Sequence, residues 1–215
     1  MEMSTPAPRR SKWNPDNKGG DIDYSQSTPL NGGSRPFPCF GYPKGLSSGT
    51  YRAGQAIPVQ IVGGATHGGG HCQFSISYDG QNFVALQNVY GNCPSEARNF
   101  DIVLPEDAPA GDAVFAWTWI NRNGGREFYM NCADIRIVGP PNGVISGHEI
   151  LLGNFPVEGK LHRTFPEGFS SDYGINYFSE TPIITITPGG LRSLVPQGSS
   201  SNLSTNQTQT RSSRN

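Results

Sequence analysis

The chain has 215 residues, a formal net charge of −1 and only 15% charged residues. Glycine (28 residues) and proline (18 residues) exceed a fifth of the chain, which is typical of a turn-rich all-β domain rather than a helical one. The early basic cluster at 9–12 is too small to indicate a nucleic-acid partner. No apolar run approaches the about 20 residues of a membrane span, so we predict neither nucleic-acid nor membrane binding.

Residues 1–55 contain too many prolines for a helix, together with an Asn-Gly-Gly turn at 31–33. They form either a long ordered loop or a disordered arm. Phe37, Cys39 and Phe40 supply apolar and covalent anchors, so we predict a loop that packs on the folded domain.

The next residues alternate between apolar and polar side chains, with turn signals between the runs, which predicts a series of antiparallel strands. Trp117 and Trp119 share one strand face and are predicted to fill the core. We predict an immunoglobulin-like or fibronectin-III-like β-sandwich with long loops. The predicted strands span 57–62, 72–78, 83–89, 99–104, 113–120 and 126–138; the length of the last suggests a bulge or a change of sheet.

Beyond residue 140 the alternation weakens. Residues 150–155 and 182–187 are predicted edge strands, and the aromatic segment 165–178 is predicted to pack on the outside of the sandwich. The predicted domain covers 1–190, with a core at 1–140 and a looser extension at 141–190. Residues 191–215 are rich in Ser, Thr and Asn and are predicted to be a disordered tail, which carries two glycosylation sequons at Asn202 and Asn206.

The four cysteines, Cys39, Cys72, Cys93 and Cys132, contain no Cys-x-x-Cys pair. Two disulfides and an oxidising compartment fit this pattern, with three connectivities open. The sequence shows no signal peptide. A secreted, extracellular mature chain whose leader has been removed reconciles these two observations.

His67 and His71 lie in and beside a glycine-rich loop, 63–70, which leads into a predicted strand. A bare loop lets a neutral imidazole reach a metal, and imidazole suits Cu, Zn, Fe or Ni. Taken alone, an isolated loop histidine such as His67 is more often an ordinary surface residue than a ligand. For His71, which enters the strand beside Cys72, we predict a supporting or surface position rather than a ligand role.

Glu127 and Tyr129 are two residues apart, so they share one face of their predicted strand. A carboxylate beside a phenol predicts a polar cluster at the sheet surface. The alternative is that Tyr129 caps the core while Glu127 is solvated. The sequence has no P-loop, nucleophile elbow, dinucleotide fingerprint or paired-carboxylate spacing.

Several motifs occur in one order: Ala-Thr-His-Gly-Gly-Gly-His-Cys-Gln-Phe-Ser at 65–75, Gly-Asn-Cys-Pro at 91–94, Phe-Ala-Trp-Thr-Trp-Ile-Asn at 115–121 and Arg-Glu-Phe-Tyr-Met-Asn-Cys-Ala at 126–133. Together with residues 1–15 and 37–39, they resemble the fungal, chitin-active lytic polysaccharide monooxygenases of auxiliary-activity family eleven. The resemblance covers about residues 1–140.

The resemblance implies one copper ion held by a histidine brace. His67 would be the second histidine ligand, Tyr129 the axial oxygen donor, Ala65 the residue beside the opposite axial position, and Glu127 a hydrogen-bonding neighbour of the bound co-substrate. It also implies the disulfides Cys39–Cys132 and Cys72–Cys93. An external electron donor and O2 or H2O2 would complete the reaction.

The family pattern places the first histidine of the brace immediately before Met1. We therefore expect a secreted monomeric enzyme that oxidatively cleaves chitin if a histidine precedes Met1. The alternative is a catalytically inactive module of the same fold that binds polysaccharide or copper.

Overall fold

The structure is a computed structural model, and it describes residues 1–17 and 21–195. These residues form thirteen β-strands, two short 3-10 turns at Cys39–Gly41 and Ile175–Ser179, and no α-helix. No helix among them is long and apolar enough to cross a membrane. The strands are β1 (Glu2–Thr5), β2 (Thr50–Arg52), β3 (Ala56–Val62), β4 (Gly70–Ser77), β5 (Val84–Val89), β6 (Asn99–Val103), β7 (Gly111–Asn121), β8 (Phe128–Val138), β9 (Ile145–His148), β10 (Leu152–Gly153), β11 (His162–Arg163), β12 (Ile183–Thr187) and β13 (Gly190–Val195).

Two sheets pack face to face around the main core. One has five strands in the order β2-β8-β7-β4-β5, and the other has three in the order β1-β3-β6. Phe74, Trp117 and Trp119 of the larger sheet join Met3 and Ile61 of the smaller one in a single buried cluster. Apolar side chains at every second position place this cluster between the sheets. The predicted all-β sandwich is therefore confirmed.

Pairing in the larger sheet is antiparallel except between β2 and β8, which are parallel. The register of β7 with β8 runs regularly from Gly111 opposite Ile137 to Ile120 opposite Phe128. The bulge suggested by the length of the predicted strand is therefore wrong for this pair. Regular pairing fixes which β8 side chains share a face; Tyr129 lies at the start of that strand, and Glu127 immediately precedes it.

Long loops cover the other face of the larger sheet. Phe128 and Met130 of β8 pack in a second buried cluster, which includes Phe40 from the first loop and Phe165 and Phe169 from the later one. The predicted packing of residues 1–55 agrees with this arrangement, although β1 and β2 within that range form strands that the sequence did not predict. Both faces of the sheet are buried, so the whole of β4 is buried.

Two disulfides tie these layers together. Cys39 bonds Cys132, which joins the first loop to β8, and Cys72 bonds Cys93, which joins β4 to the turn after β5. This is the pairing that the family resemblance implies. Cross-links of this kind restrict the unfolded chain and fix the loop beside the sheet.

The C-terminal part differs from the prediction in two places. The predicted strand at 150–155 is reduced to the two residues of β10. Three of the later strands form a further sheet, in the order β13-β12-β9, which extends through Val195. The predicted tail at 191–215 therefore begins too early, because Leu191–Val195 pair with β12 across the Pro188-Gly189 turn. The rest of that tail, with Asn202 and Asn206, lies outside the described residues.

Candidate metal centre

The loop that carries His67 reverses the chain between β3 and β4 through a run of left-handed residues. His67 has φ +49°, followed by Gly68 at +68°, Gly69 at +91° and Gly70 at +142°. Glycine adopts such values without steric cost. The side chain of His67 is half-buried, and Ala65 and Gly68 beside it are exposed. The imidazole thus lies where solvent or a metal ion can reach it.

The imidazole of His67 packs against two aromatic rings of the larger sheet. Its centroid lies 5.6 Å from that of Trp119 and 6.4 Å from that of Tyr129, whose own rings are 4.8 Å apart. Trp119 is fully buried, and its Nε1 has no hydrogen-bond partner among the described residues. The fold therefore brings together His67 and Tyr129, which the sequence predicted to share one site.

Tyr129 and Glu127 form a hydrogen-bonded pair. The phenol of Tyr129 donates to Glu127 Oε2 over 2.5 Å. Burial raises the pKa of Tyr129, and the hydrogen bond and charge of Glu127 raise it further, so the residue remains a neutral phenol. The alternative expectation is right that Tyr129 caps the core, since it is 4% exposed. Glu127, however, is bonded to that phenol rather than merely solvated.

The start of β1 lies beside the same site. A Cβ added to Gly63 would lie 3.1 Å from Met1 Cα and 3.7 Å from the Met1 nitrogen. Burial lowers the pKa of the Met1 amino group, and the carboxylates of Glu2 and Glu127 oppose that shift. A residue bonded to the Met1 nitrogen would therefore begin close to the loop of His67 and to Glu127.

The turn at Asn123-Gly124-Gly125 supports the imidazole from the other side. A Cβ on Gly124 would lie 2.4 Å from His67 Nδ1 and 2.9 Å from Cε1. The backbone N–H of Asn123 donates to the carbonyl of His67 over 3.0 Å. The ring thus turns its Nδ1 edge toward the turn, and Nε2 is the nitrogen farther from it.

Asn121 shapes this turn from the buried side. Its Nδ2 donates to the carbonyls of Asn123 and Gly125, each over 2.8 Å, and its Oδ1 accepts the N–H of Glu127 over 3.0 Å. One amide therefore sets both the turn against His67 and the start of β8. The sequence gives no sign of these roles of Asn121 and Trp119, since neither stands out from ordinary core residues.

His71 does not lie at the surface, so that part of its prediction is wrong. It is 1% exposed. Its Nδ1 accepts the N–H of Gly91 over 3.0 Å, so Nε2 carries the proton and donates to the carbonyl of Tyr173 over 2.8 Å. Burial lowers its pKa to about 4. Both nitrogens are occupied, which leaves none for a metal.

We expect that Gly124→Ala displaces the imidazole of His67. The added methyl group would overlap the ring, and φ at Gly124 is +85°, a value that strains alanine. Gly159→Ala is the matched control, because Gly159 has φ +74° and nothing within 4 Å of its Cβ position. The ring resonances of His67 in the metal-free protein, measured by NMR, should move in the first variant and not in the second. Equal, unshifted spectra would contradict this packing.

The side chains present fit part of a copper site. Cu(II) favours nitrogen and oxygen donors in a tetragonal arrangement, and His67 with Tyr129 offers one imidazole and one phenol. Over 1–17 and 21–195, no group of three or more His, Cys, Asp or Glu residues could hold a metal ion. A copper site here would therefore need further nitrogen donors beyond the side chain of His67.

Comparison with known proteins shows which proteins this chain is similar to. Curated relatives include AA11 family lytic polysaccharide monooxygenase A of Aspergillus fumigatus, which is 47% identical over 143 residues, or 65% of each chain. An AA11 family lytic polysaccharide monooxygenase of Aspergillus oryzae is 32% identical over 54% of this chain and 33% of its own. AA11 family lytic polysaccharide monooxygenase B of Aspergillus fumigatus is 33% identical over 39% of this chain and 24% of its own. The chain thus spans less than two thirds of each of these relatives.

No family model matches the chain. A solved structure from Hypocrea jecorina, titled as a glycoside hydrolase family 61 member, covers 60% of this chain and 59% of its own, with 14% identity and a TM-score of 0.37. That likeness is too low to support an inference.

The chain is therefore a homologue of the lytic polysaccharide monooxygenases. Within that class its curated relatives carry the AA11 family name, so the resemblance to family eleven predicted from the sequence is confirmed.

Proposed function

We propose that the protein is a secreted, copper-dependent lytic polysaccharide monooxygenase that oxidatively cleaves glycosidic bonds of chitin. The observation that carries the proposal is the meeting of three side chains from two distant parts of the chain. His67, Tyr129 and Glu127 converge at one end of the larger sheet, beside Met1. The names of the AA11 relatives support the reaction class, and the family resemblance supports chitin as the polymer.

His67 and Tyr129 would hold the copper ion from two sides. Nε2 of His67 is the ring nitrogen farther from the Gly124 turn, so it is the one available to the metal. Tyr129 stays a neutral phenol, and its oxygen would be a weak donor to the ion. Bound copper would supply one-electron redox chemistry toward O2 or H2O2, with electrons from an external donor. Ala65, exposed on the same loop, would border the opposite side.

Further nitrogen donors would come from a histidine bonded to the Met1 nitrogen. Its amino group and imidazole would start from a point next to Gly63, at the base of the loop of His67. The mature chain would then supply three nitrogens, and nitrogen donors suit Cu(II). Protein sequencing of the mature secreted protein tests this, because a terminal histidine followed by Met1 supports the enzyme.

Glu127 would orient the co-substrate rather than hold the metal. Oε2 is taken by the phenol of Tyr129, and Oε1 has no hydrogen-bond partner among the described residues. That second oxygen could accept or return a proton at the open side of the site. The buried rings of Trp119 and Tyr129 close the site from below, so the polymer and the co-substrate approach from the side of the glycine loop.

Glu127→Gln should remove activity while leaving the copper site in place. The amide keeps the size of the side chain and can still accept the phenol hydrogen bond, but it cannot take up a proton. We expect turnover on chitin to fall by about a hundredfold, within the range for loss of a proton-transfer group. The Cu(II) electron paramagnetic resonance (EPR) spectrum should remain tetragonal. A variant with full activity would exclude Glu127 from the reaction.

The proposed activity is tested by incubating the mature, copper-loaded protein with chitin and a reductant. Mass spectrometry should find oxidised chito-oligosaccharides, and omission of either copper or the reductant should remove them. Cellulose serves as the comparison polymer. If copper-loaded protein with a terminal histidine binds chitin and yields no oxidised products, the chain is instead the non-catalytic binding module.

A further inference from the structure

Glu167 is the residue that connects the later loop to the site. It is an exposed glutamate after β11, and its carboxylate accepts two consecutive backbone N–H groups of the glycine turn. Gly124 donates to Oε1 over 2.6 Å, and Gly125 donates to Oε2 over 3.2 Å. A carboxylate that receives two backbone donors makes charge-assisted hydrogen bonds, which are stronger than neutral ones.

The loop around Glu167 is anchored on both sides. Phe165 and Phe169 are buried, and their ring centroids lie 5.6 Å and 5.0 Å from that of His71. The N–H of Gly168 donates to the carbonyl of Arg122 over 2.8 Å. Glu167 therefore projects from a fixed segment, so its contact with the turn is a constraint on the turn.

The Gly124-Gly125 turn limits where the imidazole of His67 can lie. Gly124 sits so close to the ring that a single added carbon would come within 2.4 Å of Nδ1. Both Gly124 (φ +85°) and Gly125 (φ +109°) adopt backbone conformations open mainly to glycine. A two-glycine turn has much conformational freedom to lose, so it needs partners to stay in one conformation. Asn121 holds it from the inside and Glu167 from the outside.

We propose that Glu167 is a positioning residue for His67, acting through the Gly124-Gly125 turn. This inference rests on the proposed function for its consequence in copper binding. The positioning itself is a property of the metal-free protein and is tested there. Loss of the carboxylate frees the turn, and the imidazole then samples orientations in which Nε2 no longer points to one place.

The first experiment uses metal-free protein and compares Glu167→Ala, Glu167→Gln and a control, Glu158→Ala, in which another exposed loop glutamate is replaced. Amide hydrogen exchange at Gly124 and Gly125 should accelerate, and the NMR ring signals of His67 should shift or broaden, in Glu167→Ala. Glu167→Gln keeps one acceptor oxygen, so its changes should be smaller. Unchanged exchange and unchanged His67 signals in Glu167→Ala would overturn the proposal.

The second experiment measures Cu(II) affinity and the EPR spectrum of the mature protein. Affinity should weaken by about tenfold in Glu167→Ala, the usual effect of losing a group that orients a metal ligand, with altered copper hyperfine splitting and partial recovery in Glu167→Gln. A wild-type protein that binds no copper defeats the proposed function, while the metal-free measurement still decides the role of Glu167. Wild-type affinity and splitting in Glu167→Ala would overturn the proposed consequence for copper.

Discussion

His67→Ala should abolish the tetragonal Cu(II) EPR signal of the mature protein, and with it the oxidation of chitin. The variant removes the imidazole that the glycine loop brings beside Tyr129 at the proposed centre. A site left with fewer nitrogen donors loses the nitrogen-rich coordination that this signal reports, because solvent oxygens would take the place of the imidazole. EPR of the copper-loaded variant and mass spectrometry of its products measure the two effects.

The control for this variant is His162→Ala. His162 is an exposed histidine in β11, so its loss tests whether any surface imidazole contributes to copper binding. We expect wild-type spectra and products from His162→Ala. Thermal unfolding should change little in either variant, because His67 is only half-buried and lies in a loop. An unchanged spectrum in His67→Ala would remove this residue from the proposed centre.

The stability of the protein should fall as the pH drops from about 6.5 to about 4, because of His71. Burial lowers the pKa of this residue from 6.5 to about 4 in the folded protein. Below pH 6.5 the unfolded chain binds a proton at this histidine, whereas the folded chain does not bind it until about pH 4. The stability associated with neutral His71 is therefore complete above pH 6.5 and is lost as the pH falls toward 4. The shift corresponds to a loss on the order of 3 kcal/mol at most. Urea unfolding at a series of pH values measures it.

His71→Gln separates this effect from other titrations. The amide can still accept from Gly91 and donate to Tyr173, but it does not titrate. Asp23 and Asp79 have lowered pKa values, because hydrogen bonds to their carboxylates outweigh burial, so the stability they contribute is complete above their normal value of 3.8 and is lost only below it. The variant should therefore be less stable at pH 7, having lost four aromatic contacts, and should lack the fall between 6.5 and 4. The same fall in His71→Gln would assign it to another group.

The loss of packing around His71 also bears on the site. Its aromatic neighbours Phe165 and Phe169 flank Glu167, so His71 and the glycine turn are linked through one loop. The same loop accounts for the wrong prediction of a surface position for His71. A histidine beside a strand start looks exposed in sequence, and only the folding of the later aromatic segment over β4 buries it.

Sequence alone predicted the parts of the fold that repeat locally. The alternation along β3, β4 and β7 predicted their positions to within a few residues, because burial on one face of a sheet leaves a period of two. The short strands β1, β2 and β13 were not predicted. Strands of three to six residues leave little pattern, and their pairing with β3, β8 and β12 is a tertiary contact.

The candidate site divides in the same way. His67 was apparent because glycines surround it, and Glu127 with Tyr129 because they are two apart on a strand. Asn121, Gly124 and Glu167 were not predicted as site residues. Their roles depend on hydrogen bonds and close approaches between separate loops, for which no local sequence signal exists.

The most direct test of the copper centre is anomalous diffraction at the copper absorption edge from crystals of the mature, copper-loaded protein. We predict one strong peak within bonding distance of His67 Nε2. The peak should lie on the side of the imidazole that faces the phenol of Tyr129 and the residue bonded to the Met1 nitrogen. A peak away from His67, or copper bound only at other surface histidines, would contradict the proposed centre.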